Sequence, residues 1–190
     1  MKEVLHQHKT FEKIDYSGKE LSGREFDSCT FKHCNFSNSI LSKNDFIDCR
    51  FEDCNLTLIK LNHSSLKNVH FINCKLMGVD FSPCNDFLLS VSFEKCILDY
   101  CAFFGKKLKK TTFRECSIKE ANFTSTDLTA SGFIRCDLTH SVFQQSILEK
   151  VDFSTSQHYS IDPELNKIKK ASFSLHGLAG LLDKYDIVIE

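Results

Sequence analysis

The sequence lacks several features that would indicate common classes of protein. It has no Trp, two Pro and seven Gly in 190 residues, and no apolar run approaches the roughly 18 residues that a membrane-spanning helix needs. The 24 basic and 25 acidic residues give a net charge of −1. This balance excludes a polyanion binder held by bulk positive charge, and it excludes an acidic disordered tail. The N-terminal residues contain no apolar stretch typical of a secretory signal. We therefore expect a cytoplasmic protein with reduced cysteines and no membrane association.

Motifs for catalysis are missing as well. There is no Gly-rich phosphate loop and no nucleophile motif, and the eight histidines are scattered without a pair at metal-ligand spacing. His63, His70 and His140 fall at positions that we expect to face solvent. The sequence therefore predicts no enzyme, no cofactor and no metal site.

What the sequence does have is a period of five residues. From Phe11 to Phe81 every fifth residue is Phe, Leu or Tyr, and after a slip of two residues the period resumes at Phe93 and continues to Phe153 with Phe, Leu and one Ile. Fifteen of the 18 Phe occupy this centre position. A period of five fits neither an α-helix nor a β-strand, so it indicates a solenoid in which each step forms one side of a coil.

The cysteines follow the same period. Nine of the ten lie two residues before a centre position, where a narrow tube needs small inward side chains: Cys29, Cys34, Cys49, Cys54, Cys74, Cys96, Cys101, Cys116 and Cys136. Zinc binding is the alternative, but a linear ladder of thiols lacks tetrahedral geometry. We therefore expect core packing for these nine. Cys84, in the slipped segment, is the only thiol expected to be exposed.

The segments CTFKH (29–33), CNFSN (34–38), NDFID (44–48) and CDLTH (136–140) resemble pentapeptide repeats, with Cys where Ala is commoner in that family. The resemblance implies an all-β solenoid, a right-handed quadrilateral β-helix in which four repeats form one coil.

The resemblance also divides the chain. It covers residues 9–155, or about seven coils. Residues 1–8 form an N-terminal lead-in, and residues 156–190 form a separate C-terminal module. A phase slip of two residues lies near 82–91.

Residues 156–190 predict a small strand-helix-strand module. Asp162-Pro163-Glu164 is typical of a helix start, a helix is expected from His176 to about Lys184 after a short extended stretch, and the last residues favour a strand. The module is either a cap over the last coil or a twofold dimer seam. The candidate seam residues are Leu175, Leu178, Leu181, Leu182, Ile187, Val188 and Ile189.

A pentapeptide solenoid with this ending resembles the Qnr type of quinolone-resistance proteins. The resemblance implies a protein that binds DNA gyrase or topoisomerase IV and protects it from quinolones without binding nucleic acid itself. Imitation of duplex DNA is one mechanism by which it would do so. The resemblance also implies a rod-shaped homodimer formed through the C-terminal module. The alternative is a pentapeptide-repeat scaffold or immunity protein that binds another protein partner.

Three features are candidate partner-binding sites. Folding the chain at four repeats per coil stacks REFDS (24–28) on NDFID (44–48). These two segments contain four acidic residues and one basic residue, so their net charge is −3. The alternative is an ordinary solvated surface of mixed charge. The slip is either a functional loop or a β-bulge. A third, uncharged face includes CAFFG (101–105). The candidate residues on these features are Glu25, Asp27, Asp45, Asp48, Asn85, Asp86, Phe87 and Phe104.

Overall fold

The computed structural model describes residues 4–188 and is a parallel β-solenoid of about seven coils, as predicted. Two parallel sheets form two of its sides, in the orders β1-β3-β5-β7 and β11-β10-β9-β8-β6-β4-β2. The strands are β1 (Val4–Gln7), β2 (Thr10–Glu12), β3 (Arg24–Asp27), β4 (Thr30–Lys32), β5 (Asp45–Ile47), β6 (Arg50–Glu52), β7 (Ser65–Lys67), β8 (Val69–Ile72), β9 (Val91–Glu94), β10 (Thr112–Arg114) and β11 (Gly132–Ile134).

The remaining two sides consist of single β-bridges. Asn35 pairs with Asn55 on one of them and Ile40 with Lys60 on the other, so that the chain returns to the same side once in every coil. The corners require a left-handed backbone, and many non-Gly residues adopt it, among them Asn38 and Asp48 with φ of 58° and 51°. Asn and Asp tolerate this region better than most residues.

Stacked rings fill the interior. The ring of Phe113 lies parallel to those of Phe93 and Phe133 in the coils before and after it, with centroid distances of 5.2 and 4.6 Å. Phe103 and Phe123 form a second column beside the first, and their rings meet Phe113 edge-on. Offset stacks and edge contacts are the favourable arrangements of aromatic rings, so the five-residue period of Phe produces a continuous core.

The small inward position also has a hydrogen-bonding role. The thiol hydrogen of Cys54 has two acceptors, the carbonyl oxygen of Phe31 in the preceding coil at 3.4 Å and that of Glu52 in its own coil at 3.2 Å. Ser64 donates to the carbonyl oxygen of Leu41, also in the preceding coil, at 2.7 Å. Sequence reasoning identified the small size of these residues but missed that most of them donate a hydrogen bond between coils.

The solenoid begins earlier than predicted. Val4–Gln7 pairs in parallel with Arg24–Asp27, and the imidazole of His6 stacks on Phe26 with a centroid distance of 5.0 Å. The described part of the predicted lead-in, residues 4–8, therefore belongs to the first coil. The pattern did not indicate this because a histidine takes the place of Phe at the centre position.

The solenoid also ends later than the predicted boundary at residue 155. Ile147 pairs with Lys167, Asp152 pairs with Ser172, and Phe173 stacks on Phe153 at 5.4 Å. The period is hard to recognise here because the five-residue count from Phe153 falls on His158 and Pro163. In the structure His158 is exposed and Tyr159 is buried in its place. Pro163 lies in a turn and does not start a helix.

The C-terminal module differs from the predicted strand-helix-strand. Two 3-10 helices, Leu175–Leu181 and Asp183–Tyr185, replace the expected helix, and residues 187–188 form no strand. Residue 189 lies outside the described residues. Gly177 and Gly180 of the first 3-10 helix lie against Tyr159, and a Cβ on either would come within 2.0 Å of one of its oxygens. Residues three apart align along a 3-10 helix, so this geometry brings both glycines to one face.

Candidate protein-binding surfaces

The four predicted acidic residues lie on one side of the solenoid. Glu25 on β3 and Asp45 on β5 are direct neighbours in register. Asp27 lies at the end of β3 and accepts hydrogen bonds from Gln7 Nε2 at 3.2 Å and from Ser28 Oγ at 2.8 Å. The sequence could predict this grouping because coils of constant length stack equivalent outward positions.

The charges of this acidic side remain largely unneutralised. Asp48 is exposed and accepts a hydrogen bond from Asn68 Nδ2 at 2.6 Å. Among the described residues, none of the four carboxylates forms an ion pair. The side can therefore attract a basic surface of a partner, and this attraction weakens as salt rises.

The slip forms a short projecting loop, residues 85–90, on the same side. Before the loop Asp45 pairs with Ser65, and after it Val69 pairs with Val91, so the coil that contains the loop is longer by two residues. Phe87 and Leu88 point outward with 74% and 63% of their surface exposed. Leu89 packs against the core. The two additional residues therefore extend outward as the tip of a loop.

Two features of the loop were not predicted. Cys84 is buried, and burial raises the pKa of its thiol to about 12, so the expectation that it is exposed was wrong. Asp86 accepts a hydrogen bond from Lys106 Nζ at 2.6 Å. Lys106 occupies an inward position of the period, where a charged residue is unexpected, and sequence reasoning did not select it.

Asn85 connects the loop to the acidic side. Its Nδ2 donates to the backbone oxygen of His63 and to Ser65 Oγ, both at 3.1 Å. Ser65 is in turn the register partner of Asp45. The structure therefore brings Asn85, Asp86 and Phe87 to the same side as the acidic residues, with one coil between them.

Phe104 lies at a neighbouring corner. Phe104 is exposed and lies two residues after Ala102. Ala102 forms β-bridges with Asp80 and Asn122, on the side of each coil that comes before the acidic side in the chain. Val142, the residue after Asn122 in this ladder, is also exposed. This face therefore exposes two apolar side chains, beside the polar Gln144 and Gln145, and the exposed Asp80 lies one coil earlier on the same ladder.

Five of the seven predicted seam residues are exposed at the C-terminal end. Leu178 is 42% exposed, whereas Leu181 packs against the core. We define the C-terminal apolar surface by its exposed members: Leu175, Leu178, Leu182, Ile187 and Val188.

Charged contacts hold this end onto the last coil. Lys184 Nζ lies 2.8 Å from an oxygen of Asp162 and 2.6 Å from an oxygen of Glu164. Hydrogen bonding to Lys184 lowers the pKa of both carboxyl groups, and these bonds raise the pKa of Lys184. The apolar surface is thus attached to the solenoid at a defined place.

The described residues contain no group of three or more His, Cys, Asp or Glu side chains that could hold a metal ion. No helix within residues 4–188 is long and apolar enough to cross a membrane. The features that these residues present are surfaces: an acidic side, a short apolar loop and an apolar end.

Solved structures with a similar fold include two of QnrB1, a plasmid-mediated fluoroquinolone resistance protein. A trypsin-treated variant has 18% identity over 99% of both chains with a TM-score of 0.63. The full-length protein has 16% identity over 96% of this chain and 100% of QnrB1, with a TM-score of 0.58. HetL, a pentapeptide-repeat protein involved in heterocyst differentiation regulation from the cyanobacterium Nostoc sp. strain PCC 7120, has 15% identity over 90% of this chain and 85% of HetL, with a TM-score of 0.53. At these identities the similarity is one of fold.

Family membership rests on the sequence. No curated protein matches the chain by sequence. The family model described as a pentapeptide repeat region matches residues 24–86 and 86–153, which is more than half of the chain. The chain therefore belongs to the pentapeptide-repeat family.

Proposed function

We propose that this protein is a non-catalytic, cytoplasmic binding protein that acts as a homodimer, binds DNA gyrase or topoisomerase IV and protects it from quinolones. The observation that carries the proposal is the similarity to QnrB1 along the whole length of both chains. It extends beyond the coils to the C-terminal end, where this chain exposes Leu175 and Leu178. Such a protein would combine a rod that contacts the topoisomerase with an apolar end through which two copies can associate.

The acidic side suggests how such a rod would contact its partner. Glu25 and Asp45 are neighbours on adjacent coils, in a surface without ion pairs among the described residues. A topoisomerase surface that binds DNA is basic and would attract this side. Because the net charge of the chain is only −1, imitation of DNA would be local and would not involve the whole rod.

A supercoiling assay with purified gyrase tests the proposal. The protein should restore supercoiling in the presence of a quinolone and should bind gyrase in the absence of the drug. The double variant Glu25→Gln, Asp45→Asn should weaken binding, with the loss largest at low salt. Glu94→Gln, which removes an exposed carboxylate from β9 in the other sheet, is the matched control. Wild-type protein that neither binds gyrase nor alters its inhibition would refute the proposal.

A scaffold or immunity role with another protein partner is the second candidate. The similarity to HetL favours it, because that protein shares the fold and is involved in regulation of differentiation. Affinity purification from a bacterial lysate separates the two roles. Enrichment of a different complex without gyrase or topoisomerase IV subunits would favour the second role.

A further inference from the structure

Lys106 is a buried charged residue at a position that holds small or polar uncharged residues in the coils on either side. It is the inward residue two before the centre Leu108, and the same position in the next three coils holds Thr126, Ser146 and Asn166. Only 5% of Lys106 is exposed. A buried ammonium group is unfavourable unless it is paired and hydrogen-bonded, so the contacts that it makes are the reason it can be there.

Both contacts of Lys106 are with the segment that leads into the projecting loop. Its Nζ donates to the backbone oxygen of Cys84 at 2.7 Å and to Oδ1 of Asp86 at 2.6 Å. Hydrogen bonds between charged groups are shorter and stronger than neutral ones. Lys106 therefore reaches across one coil and fixes a backbone group and a side chain that lie two residues apart.

The loop has other contacts besides Lys106: Leu89 N donates to Asp86 O at 3.3 Å within the loop, and Lys67 Nζ lies 5.9 Å from the centroid of the Phe87 ring. Asn85 N donates to Ser64 O at 2.9 Å before the tip, and Ser90 N donates to Leu66 O at 2.9 Å after it. Between them, Leu88 adopts a left-handed backbone with φ of 57°, as corner residues such as Asn68 do throughout the solenoid. The pairing of Asp86 with Lys106 differs from these contacts because it joins the start of the exposed tip to a buried charged side chain of the next coil.

We propose that Lys106 is a positioning residue whose buried ammonium group holds the loop of residues 85–90 in one conformation, so that Phe87 and Leu88 form a preorganised apolar contact for the protein partner. Exposed aromatic residues that enter a pocket dominate many protein interfaces, and preorganisation lowers the entropic cost of binding. The inference rests on the proposed function for the identity of the partner, gyrase or topoisomerase IV. The restraint on the loop does not depend on that identity.

Amide hydrogen exchange of the Lys106→Thr variant tests whether Lys106 restrains the loop of residues 85–90. Threonine is the residue that the next coil uses in this position, where Thr126 donates to the backbone oxygen of Phe103 at 2.8 Å. The solenoid should therefore keep its fold while the contact with Asp86 is lost. We expect the amides of Leu89 and Ser90 to exchange about tenfold faster, because loss of a charge-assisted hydrogen bond increases the population of open loop. Lys107→Thr, which removes the exposed neighbouring charge, is the control.

Gyrase binding tests whether the held loop presents Phe87 and Leu88 to the partner. Lys106→Thr should weaken binding about as much as Phe87→Ala does, and Lys107→Thr should leave it unchanged. Asp86→Asn leaves the inward position intact and should reproduce the faster exchange, so it gives the answer if Lys106→Thr does not fold. Unchanged exchange in these variants would overturn the inference, and faster exchange with unchanged affinity would overturn the role in presenting Phe87. Failure of wild-type protein to bind gyrase would contradict the proposed function, while exchange would still decide whether Lys106 holds the loop.

Discussion

At the level of single residues, the second inward position has to satisfy two conditions. The side chain must be small enough to lie beside the stacked rings, and in most coils it donates a hydrogen bond to a carbonyl oxygen of the preceding coil. Cys54 and Ser64 both do so, to Phe31 and Leu41. Cysteine is suitable because it combines the burial preference of a small apolar residue with a weak S–H donor.

The two conditions can be separated by substitution at Cys54. Cys54→Ser keeps the size and the donor, so the free energy of unfolding should fall by less than about 1 kcal/mol. Cys54→Leu loses the donor and overfills the tube, and should cost about 1–3 kcal/mol or more. Thermal and urea unfolding measure both values. A serine variant as unstable as the leucine variant would contradict a donor role for this position.

The sequence predicted this residue-level pattern because inward side chains recur every five residues. It was wrong about Cys84, which is buried although the period slips around it, since the slip begins only after its side chain has turned inward. It also gave no indication of Lys106. The stability of a buried lysine depends on its contacts with Cys84 and Asp86 in the coil before it, and the phase slip in that coil removes the constant coil length from which stacked positions are predicted.

At the level of elements, the C-terminal end shows what residue spacing can and cannot predict. Leucines at short intervals predicted an apolar face on one helix, but they did not distinguish an α-helix from 3-10 helices. Gly177 and Gly180 lower the α-helix propensity of this segment, and their close contact with Tyr159 exists only in the tertiary structure. The part of the surface that stays exposed, around Leu178, could be assigned only once the packing of Leu181 was known.

Oligomeric state tests the C-terminal apolar surface. Leu178→Asp places a charge in the middle of it, and because Leu178 is already partly exposed in one chain, the fold should be retained. We expect a dimer to become a monomer, with the dissociation constant raised at least tenfold, measured by light scattering and analytical ultracentrifugation. Leu88→Asp, a charge on an exposed leucine of the loop, should leave the dimer intact. A dimer that persists in Leu178→Asp would place the interface elsewhere.

At the level of the whole molecule, the two ends of the solenoid differ. Tyr159 and the 3-10 helices lie over the last coil, whereas the described residues leave the first coil open around a cavity of about 100 Å³ lined by His6, Phe11, Tyr16 and Leu21, among others. Each coil of a solenoid is stabilised by its neighbours, so a coil with one neighbour opens first. We therefore expect stability to be lowest at the N-terminal end.

His6 makes the stability of the first coil depend on pH. Both of its ring nitrogens are buried without a partner among the described residues, and burial, together with the charges of Lys9 and Arg24, lowers the pKa of the imidazole. The unfolded first coil therefore binds a proton more readily than the folded one. The first coil therefore has its full stability above pH 6.5, the ordinary pKa of an imidazole, and loses stability as the pH falls below that value.

Replacement of His6 by phenylalanine should remove this dependence. The new ring would continue the column of Phe26 and Phe46, and loss of the unpaired polar group should stabilise the first coil by about 1 kcal/mol. Protection factors of the His8 and Lys13 amides, which donate to Asp27 and Lys32 of the second coil, report this coil directly. They should fall between pH 7.5 and pH 5 in wild-type protein and in the control His8→Asn, and stay nearly constant in His6→Phe. An equal fall in all three would mean that His6 does not control the opening of this end, and that other titrating groups of the first coil do.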